Sequence, residues 1–169
     1  MDAQAAARRR RKQASEKYRP HEVRLLLVAE APPSSLDRYF YFEDVREQDA
    51  LFRYVVETVL DESPSRTGKA AVLGRLQDQG AFLVDLKIYP KIGDEPLDAH
   101  VPDLVSRAAA LEPHHVITIK ANVCDLCQGP LRAAGLHVVD ERIPFPGSGQ
   151  QRRFVDKMGH ALRSIGWGS

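Results

Sequence analysis

The sequence predicts an α/β fold, a three-layer α/β/α domain with a central, mostly parallel four-stranded sheet. Three observations lead there. Short aliphatic runs that read as buried strands recur along the chain. Stretches with apolar residues at helical spacing stand between them, and turn-forming residues separate the two kinds. Alternating units of this length favour a mostly parallel sheet with helices on both faces.

The elements follow in order. Val23–Ala29 reads as a buried strand, ended by Pro32, Pro33, Ser34 and Ser35. A helix is expected over Val45–Leu60, where Leu51, Phe52, Val55, Val56, Val59 and Leu60 form one apolar stripe, a core-facing pattern. Ser63-Pro64-Ser65 breaks the chain before a helix over Lys69–Gln79, which Gly80 ends. Ala81–Ile88 is the second strand, stopped by Tyr89-Pro90. Pro102–Leu111 reads as helix, His115–Ile119 as the third strand and Cys124–Ala134 as helix with Gly135 at its end. Leu136–Asp140 is expected to be a fourth strand. A loop at Pro144–Gly149 then leads to a closing amphipathic helix over Arg152–Ile165. In parallel α/β sheets ligands bind beyond the carboxyl ends of the strands. The segments to watch are therefore 30–42, 85–98 and 141–153.

A chain of 169 residues with 43% hydrophobic and 28% charged residues suits one globular domain. The longest aliphatic run, Leu25 to Ala29, is far below the ~20 residues of a membrane span. The basic start leads into no apolar signal-peptide core, and two cysteines make no disulfide framework, so a reducing cytoplasm is the expected home. The net charge of +1 hides a division: residues 1–19 hold seven Lys/Arg against Asp2 and Glu16, whereas the body from residue 20 is mildly acidic. The first 19 residues are read as a disordered basic tail, and 20–169 as the domain. The tail either neutralises phosphates in a salt-dependent way or serves only solubility.

Cys124-Asp125-Leu126-Cys127 has the local layout of a redox pair, and His114 and His115 lie close in sequence. Adjacent residues of a strand point to opposite faces, so both histidines could hardly ligate one metal, and helix-buried thiols are the favoured reading. No Walker-type loop or Gly-x-Gly-x-x-Gly run is present, which argues against nucleoside-triphosphate and dinucleotide chemistry. No cofactor and no metal are expected.

The segment Leu25-Leu26-Leu27-Val28-Ala29-Glu30-Ala31-Pro32-Pro33 is similar to the first motif of the uracil-DNA glycosylase superfamily, where a hydrophobic strand runs into a Gly-Glu-Ala-Pro-Gly-like turn. Glu30, Ala31 and Pro32 match, while Ala29 and Pro33 replace the glycines. Phe82-Leu83-Val84-Asp85 resembles the family's second strand, which usually ends in an asparagine at the base pocket. His115–Lys120 followed by Ala121 resembles its third. Pro144-Phe145-Pro146-Gly147-Ser148-Gly149 lies where the family carries its DNA-intercalating loop, and the likeness runs over roughly residues 22–165.

The resemblance implies a glycosylase-type fold and DNA repair by base excision: hydrolysis of the N-glycosidic bond of uracil or a related deaminated base in single-stranded or damaged DNA, by a monomer. An alternative is a catalytically inactive member that binds nucleic acid or a nucleobase-like ligand. A base must leave the stack and enter a closed pocket, and positive charge then develops on the sugar. Glu30 is expected to orient water there, with Ala31 and Pro32 against the base and Phe40 or Tyr41 stacking on it. Asp85 stands where an amide would read uracil. An ionised carboxylate only accepts hydrogen bonds, so Asp85 suits a base edge rich in N–H donors, or must be kept protonated by burial. The last loop lacks the family's histidine, Pro144 or Ile143 standing in its place, which predicts slow chemistry or none. Pro146, Gly147, Ser148, Gly149, Arg152 and Arg153 are the expected contacts to the DNA strand.

Overall fold

A computed structural model describes residues 2–45, 49–63 and 68–168. Three parallel strands form one open sheet in the order β2-β1-β3: β1 (Leu25–Ala29), β2 (Ala81–Asp85) and β3 (His115–Thr118). Leu25 pairs with Ala81 on one side and His115 on the other, and Ala29 pairs with Asp85. Every residue of β1 is buried, as a central strand covered on both faces requires.

Helices α2 (Ala50–Val59), α3 (Lys69–Asp78), α4 (Val101–Ala110), α5 (Ala121–Ala133) and α6 (Gln151–Ser164) flank the sheet. By contact they group as α2 with α3 and α6, and α4 with α5. The stripe of α2 is buried through Phe52, Val55, Val56 and Val59, as its spacing predicts. The first residues expected in that helix include 46–48, and the Pro64-Ser65 break also falls outside the described residues.

Two expectations are corrected. Leu136–Asp140 is not a strand. It meets the sheet at one isolated parallel bridge, Val116 with Val138, and a second bridge joins Ile119 and Ile143. Among the described residues the sheet therefore has three strands, and the 138–143 segment runs beside β3 without continuous pairing. Within the segment read as a disordered tail, Ala3–Lys17 is a helix, α1. Ala, Arg, Lys, Gln and Glu are strong helix formers, and the Asp2 side chain caps the first turn by accepting from the Gln4 N–H at 3.0 Å.

The charges of α1 dock it, because loop carbonyls and aromatic faces receive them. Arg10 donates to the Leu36 carbonyl at 2.9 Å and lies over the Phe42 ring, while Arg11, buried, donates to the Ile88 carbonyl at 3.3 Å. Lys17 pairs with Glu43 at 2.5 Å. The helix thereby spans the loops that leave β1 and β2. No helix among the described residues is long and apolar enough to cross a membrane.

Candidate functional site

Because β2 and β3 lie on opposite sides of β1, the chain changes direction across the sheet between β1 and β3. Such a switch point leaves a crevice at the carboxyl ends of the two strands. A cavity of about 390 Å³ opens there, a size usual for small-ligand sites. Glu30, Asp85, Ala31, Pro32 and Phe40, five of the residues singled out in the sequence, line it together.

Glu30 is the first residue beyond β1. Its Oε1 accepts from Lys120 Nζ at 2.8 Å, its Oε2 accepts from Asn122 Nδ2 at 2.5 Å, and Lys91 Nζ lies 3.7 Å from Oε2. Burial alone would raise its pKa, but the hydrogen bonds from Lys120 and Asn122 and the charges of Lys120 and Lys91 overcome that, so the carboxyl titrates below its ordinary value. Glu30 is thus a held carboxylate. A carboxylate offers about four lone-pair directions, so these donors leave room for another, such as a water.

Lys120 reaches Glu30 through an unusual backbone. It stands between β3 and α5 with φ +85° and ψ 136°, a conformation that L-residues rarely adopt. The surroundings impose it: the Lys120 N–H donates to the Ile143 carbonyl at 2.8 Å, and its own carbonyl accepts from the Cys124 N–H at 3.1 Å. The Asn122 amide that donates to Glu30 leaves its Oδ1 buried without a hydrogen-bond partner.

Asp85 ends β2 beside Ala29 and is 8% exposed. Burial pushes its pKa up from 3.8 to about 7, against the pull of Arg107, Arg11 and Arg8. No hydrogen bond to its carboxyl oxygens occurs among the described residues. Near neutrality it is therefore part acid and part carboxylate, a donor in one form and an acceptor in the other.

The aromatic run divides. Tyr39 and Phe40 line the cavity, but Tyr41 does not. The Tyr41 hydroxyl accepts from the Leu83 N–H at 2.6 Å and donates to the Leu83 carbonyl at 3.0 Å, and its ring packs against Phe82. Tyr41 is a core residue that caps the outer edge of β2, which removes it from the stacking candidates. Lys69, buried at the start of α3, fixes the run from behind by donating to the Tyr39 carbonyl at 3.1 Å.

In the last loop Phe145 lines the mouth of the cavity and is 43% exposed. Pro146, Gly147, Ser148 and Gly149 follow it without lining the cavity. Pro146 is buried, and a Cβ at Gly147 would meet the Phe145 ring at 3.1 Å. Ser148 and Gly149 both have left-handed backbones, φ +51° and +82°, and turn the chain into α6. Arg152 and Arg153 stand exposed on its first turn, and their side chains have no ion pair among the described residues. Arg142 and Lys157, the other cations near this loop, are engaged by Asp125 and Glu141.

The sequence does not single out Lys120, Asn122 or the Arg38–Asp49 pair that also borders the cavity, and it points to Phe145 only as part of the last loop. Only the strand order brings the end of β3 to Glu30, and nothing in the spacing of the residues declares that order. The two cysteines are buried in α5, and burial, with Cys124 nearby, pushes the Cys127 thiol up to about 12, far from a reactive thiolate. Among the described residues no three His, Cys, Asp or Glu side chains gather as a metal group. Comparison with known protein families, with curated proteins and with solved structures returned no match for this chain.

Proposed function

We propose that the cavity receives a nucleobase turned out of a DNA strand, and that the chain hydrolyses its N-glycosidic bond, as the resemblance to uracil-DNA glycosylases implies. One observation supports this above the others. A held carboxylate, Glu30, and a carboxyl near half-protonation, Asp85, share one cavity walled by Tyr39, Phe40 and Phe145. Environments that push two carboxyls apart in pKa suit them to different roles.

In this reading the base stacks on Phe40 and its polar edge meets Asp85. Glu30 accepts a hydrogen bond from a water aimed at the anomeric carbon. As the water oxygen bonds that carbon, the C–N bond breaks, the base departs with the bonding pair and then takes up a proton, and the water gives up its own proton toward Glu30. The Lys120 ammonium, in the same cavity, faces the negative charge that develops on the leaving base. Protonated Asp85 donates to a base carbonyl, whereas the carboxylate accepts from ring N–H groups.

A second reading has its own support. Lys120 and Lys91 neutralise much of the Glu30 charge, which weakens its help to a cationic sugar, and the last loop carries no histidine. The same cavity then binds a nucleobase-like ligand without cleaving it.

The deciding experiment uses labelled oligonucleotides, single- and double-stranded, carrying uracil, hypoxanthine or xanthine, with strand cleavage at abasic sites as the readout. Excision by wild type that Glu30→Ala reduces by a factor of ~100 or more is expected for a water-orienting group. Absence of excision with enzyme in excess, beside an active glycosylase as control, excludes the hydrolase for these bases and leaves the binding reading.

A further inference from the structure

A second cavity, about 330 Å³, lies at the outer edge of β2 between α1 and α4. Tyr39, Leu83 and Asp85 line both cavities and so form the wall between them. On the far side of that wall the lining is basic. Arg8 and Lys12 come from one face of α1, Arg19 from just beyond its end, and Arg107 from α4.

These cations are not equivalent. Arg107 is engaged, bonding Asp103 at 2.8 Å and the backbone carbonyls of Asp85 and Leu86 at 2.9 and 3.1 Å. Arg19 has Glu16 at 3.8 Å. Arg8 is half-buried and Lys12 exposed, and neither side chain has a hydrogen bond or ion pair among the described residues. The acids among the lining residues are Glu16, near Arg19, and the buried Asp85 in the shared wall, against four cations. A half-buried guanidinium with no hydrogen bond or ion pair among the described residues, one helical turn from an ammonium equally unbonded, is arranged for an anion with several acceptor oxygens.

We propose that this second cavity is a phosphate site, with Arg8 and Lys12 as its principal ligands and Arg107 holding its floor. The phosphate belongs either to a nucleic-acid strand passing over α1 or to a free phosphomonoester; both present the same oxygens. The proposal goes beyond the reading of the first cavity and does not depend on any reaction there.

The test uses inorganic phosphate first. Thermal unfolding is compared in phosphate and in chloride at matched ionic strength and pH 6.5, for wild type, Glu30→Ala, Lys12→Gln and the double variant Arg8→Gln/Lys12→Gln. Phosphate is expected to raise Tm of wild type and of Glu30→Ala by a few degrees. The rise is smaller in Lys12→Gln, an exposed change that disturbs no packing, and absent in the double variant. Equal Tm in the two salts, or a rise that survives the double variant, overturns the proposal. Fluorescence anisotropy with an undamaged single-stranded oligonucleotide then separates the sources. Weaker binding by the double variant, with a salt slope shallower by roughly 1.4, assigns the site to strand phosphates. Unchanged DNA affinity beside a lost phosphate effect assigns it to a free phosphomonoester.

Discussion

At the scale of single residues, three side chains set how this protein responds to pH and substitution. Asp85 has a folded pKa near 7 against an ordinary 3.8, so between those values the folded state holds a proton that the unfolded chain has released. Its contribution to stability is full below about pH 4 and is lost as pH rises to 7, a difference worth ~4 kcal/mol at most. Asp85→Asn is therefore expected to unfold at higher temperature than wild type at pH 8, with the advantage vanishing near pH 4. Equal Tm differences at both pH values would contradict a buried, raised Asp85. Lys69 works in the opposite sense. Burial lowers its pKa from 10.5 to about 8, so stability should rise with pH from 8 toward 9.5 in wild type. Urea titrations should show this rise lost in Lys69→Met. Lys120 carries backbone strain besides its ion pair. Lys120→Gly and Lys120→Ala both lose the bond to Glu30, yet glycine tolerates φ +85°, so the glycine variant is expected to be more stable by ~1 kcal/mol.

At the scale of elements, the strands were largely legible because β1, β2 and β3 are continuous apolar runs between turn residues. The helices α2 and α6 are legible in their apolar spacing, and α3 and α5 in the glycines that end them. Leu136–Asp140 looked equally strand-like in sequence, but it makes only the Val138 bridge, since pairing depends on how the segment lies along β3 and not on its own residues. For α1 the misleading signal was charge. Seven cations suggested a solvated tail, and the carbonyls of Leu36 and Ile88 that receive two of them are remote in sequence. Tyr41 shows the same limit: four successive aromatics do not reveal which one turns to the edge of β2. Its hydroxyl serves both the N–H and the carbonyl of Leu83 on that otherwise unpaired edge. Tyr41→Phe leaves both groups buried without this partner, at ~1–3 kcal/mol each. Urea denaturation should show that loss while ligand binding in the first cavity is retained, because Tyr41 does not line it.

At the scale of the molecule, a parallel sheet with its direction change between β1 and β3 collects the ends of all three strands into one place. Glu30 and Asp85 could be proposed from sequence because the resemblance falls on them, at or just past the ends of predicted strands. Their partners could not, since Lys120 and Asn122 are some 90 residues from Glu30 along the chain. Helix α1 crosses the loops of the same end and places unpaired cations on the far side of the Asp85 wall. Two cavities sharing Tyr39, Leu83 and Asp85 lie at this end of the fold, one walled by Tyr39, Phe40 and Phe145 and the other lined by cations.

The most direct test of the account is equilibrium binding of free uracil, hypoxanthine and xanthine by NMR titration from pH 5.5 to 8.5, in wild type, Phe40→Ala and Asp85→Asn. At least one base is expected to bind, Phe40→Ala to weaken it by ~1 kcal/mol or more, and wild-type affinity to change through pH 7 as Asp85 titrates. In Asp85→Asn that pH dependence disappears. Binding of none of the three bases at any pH, or binding indifferent to both substitutions, would contradict the assignment of this cavity to a nucleobase.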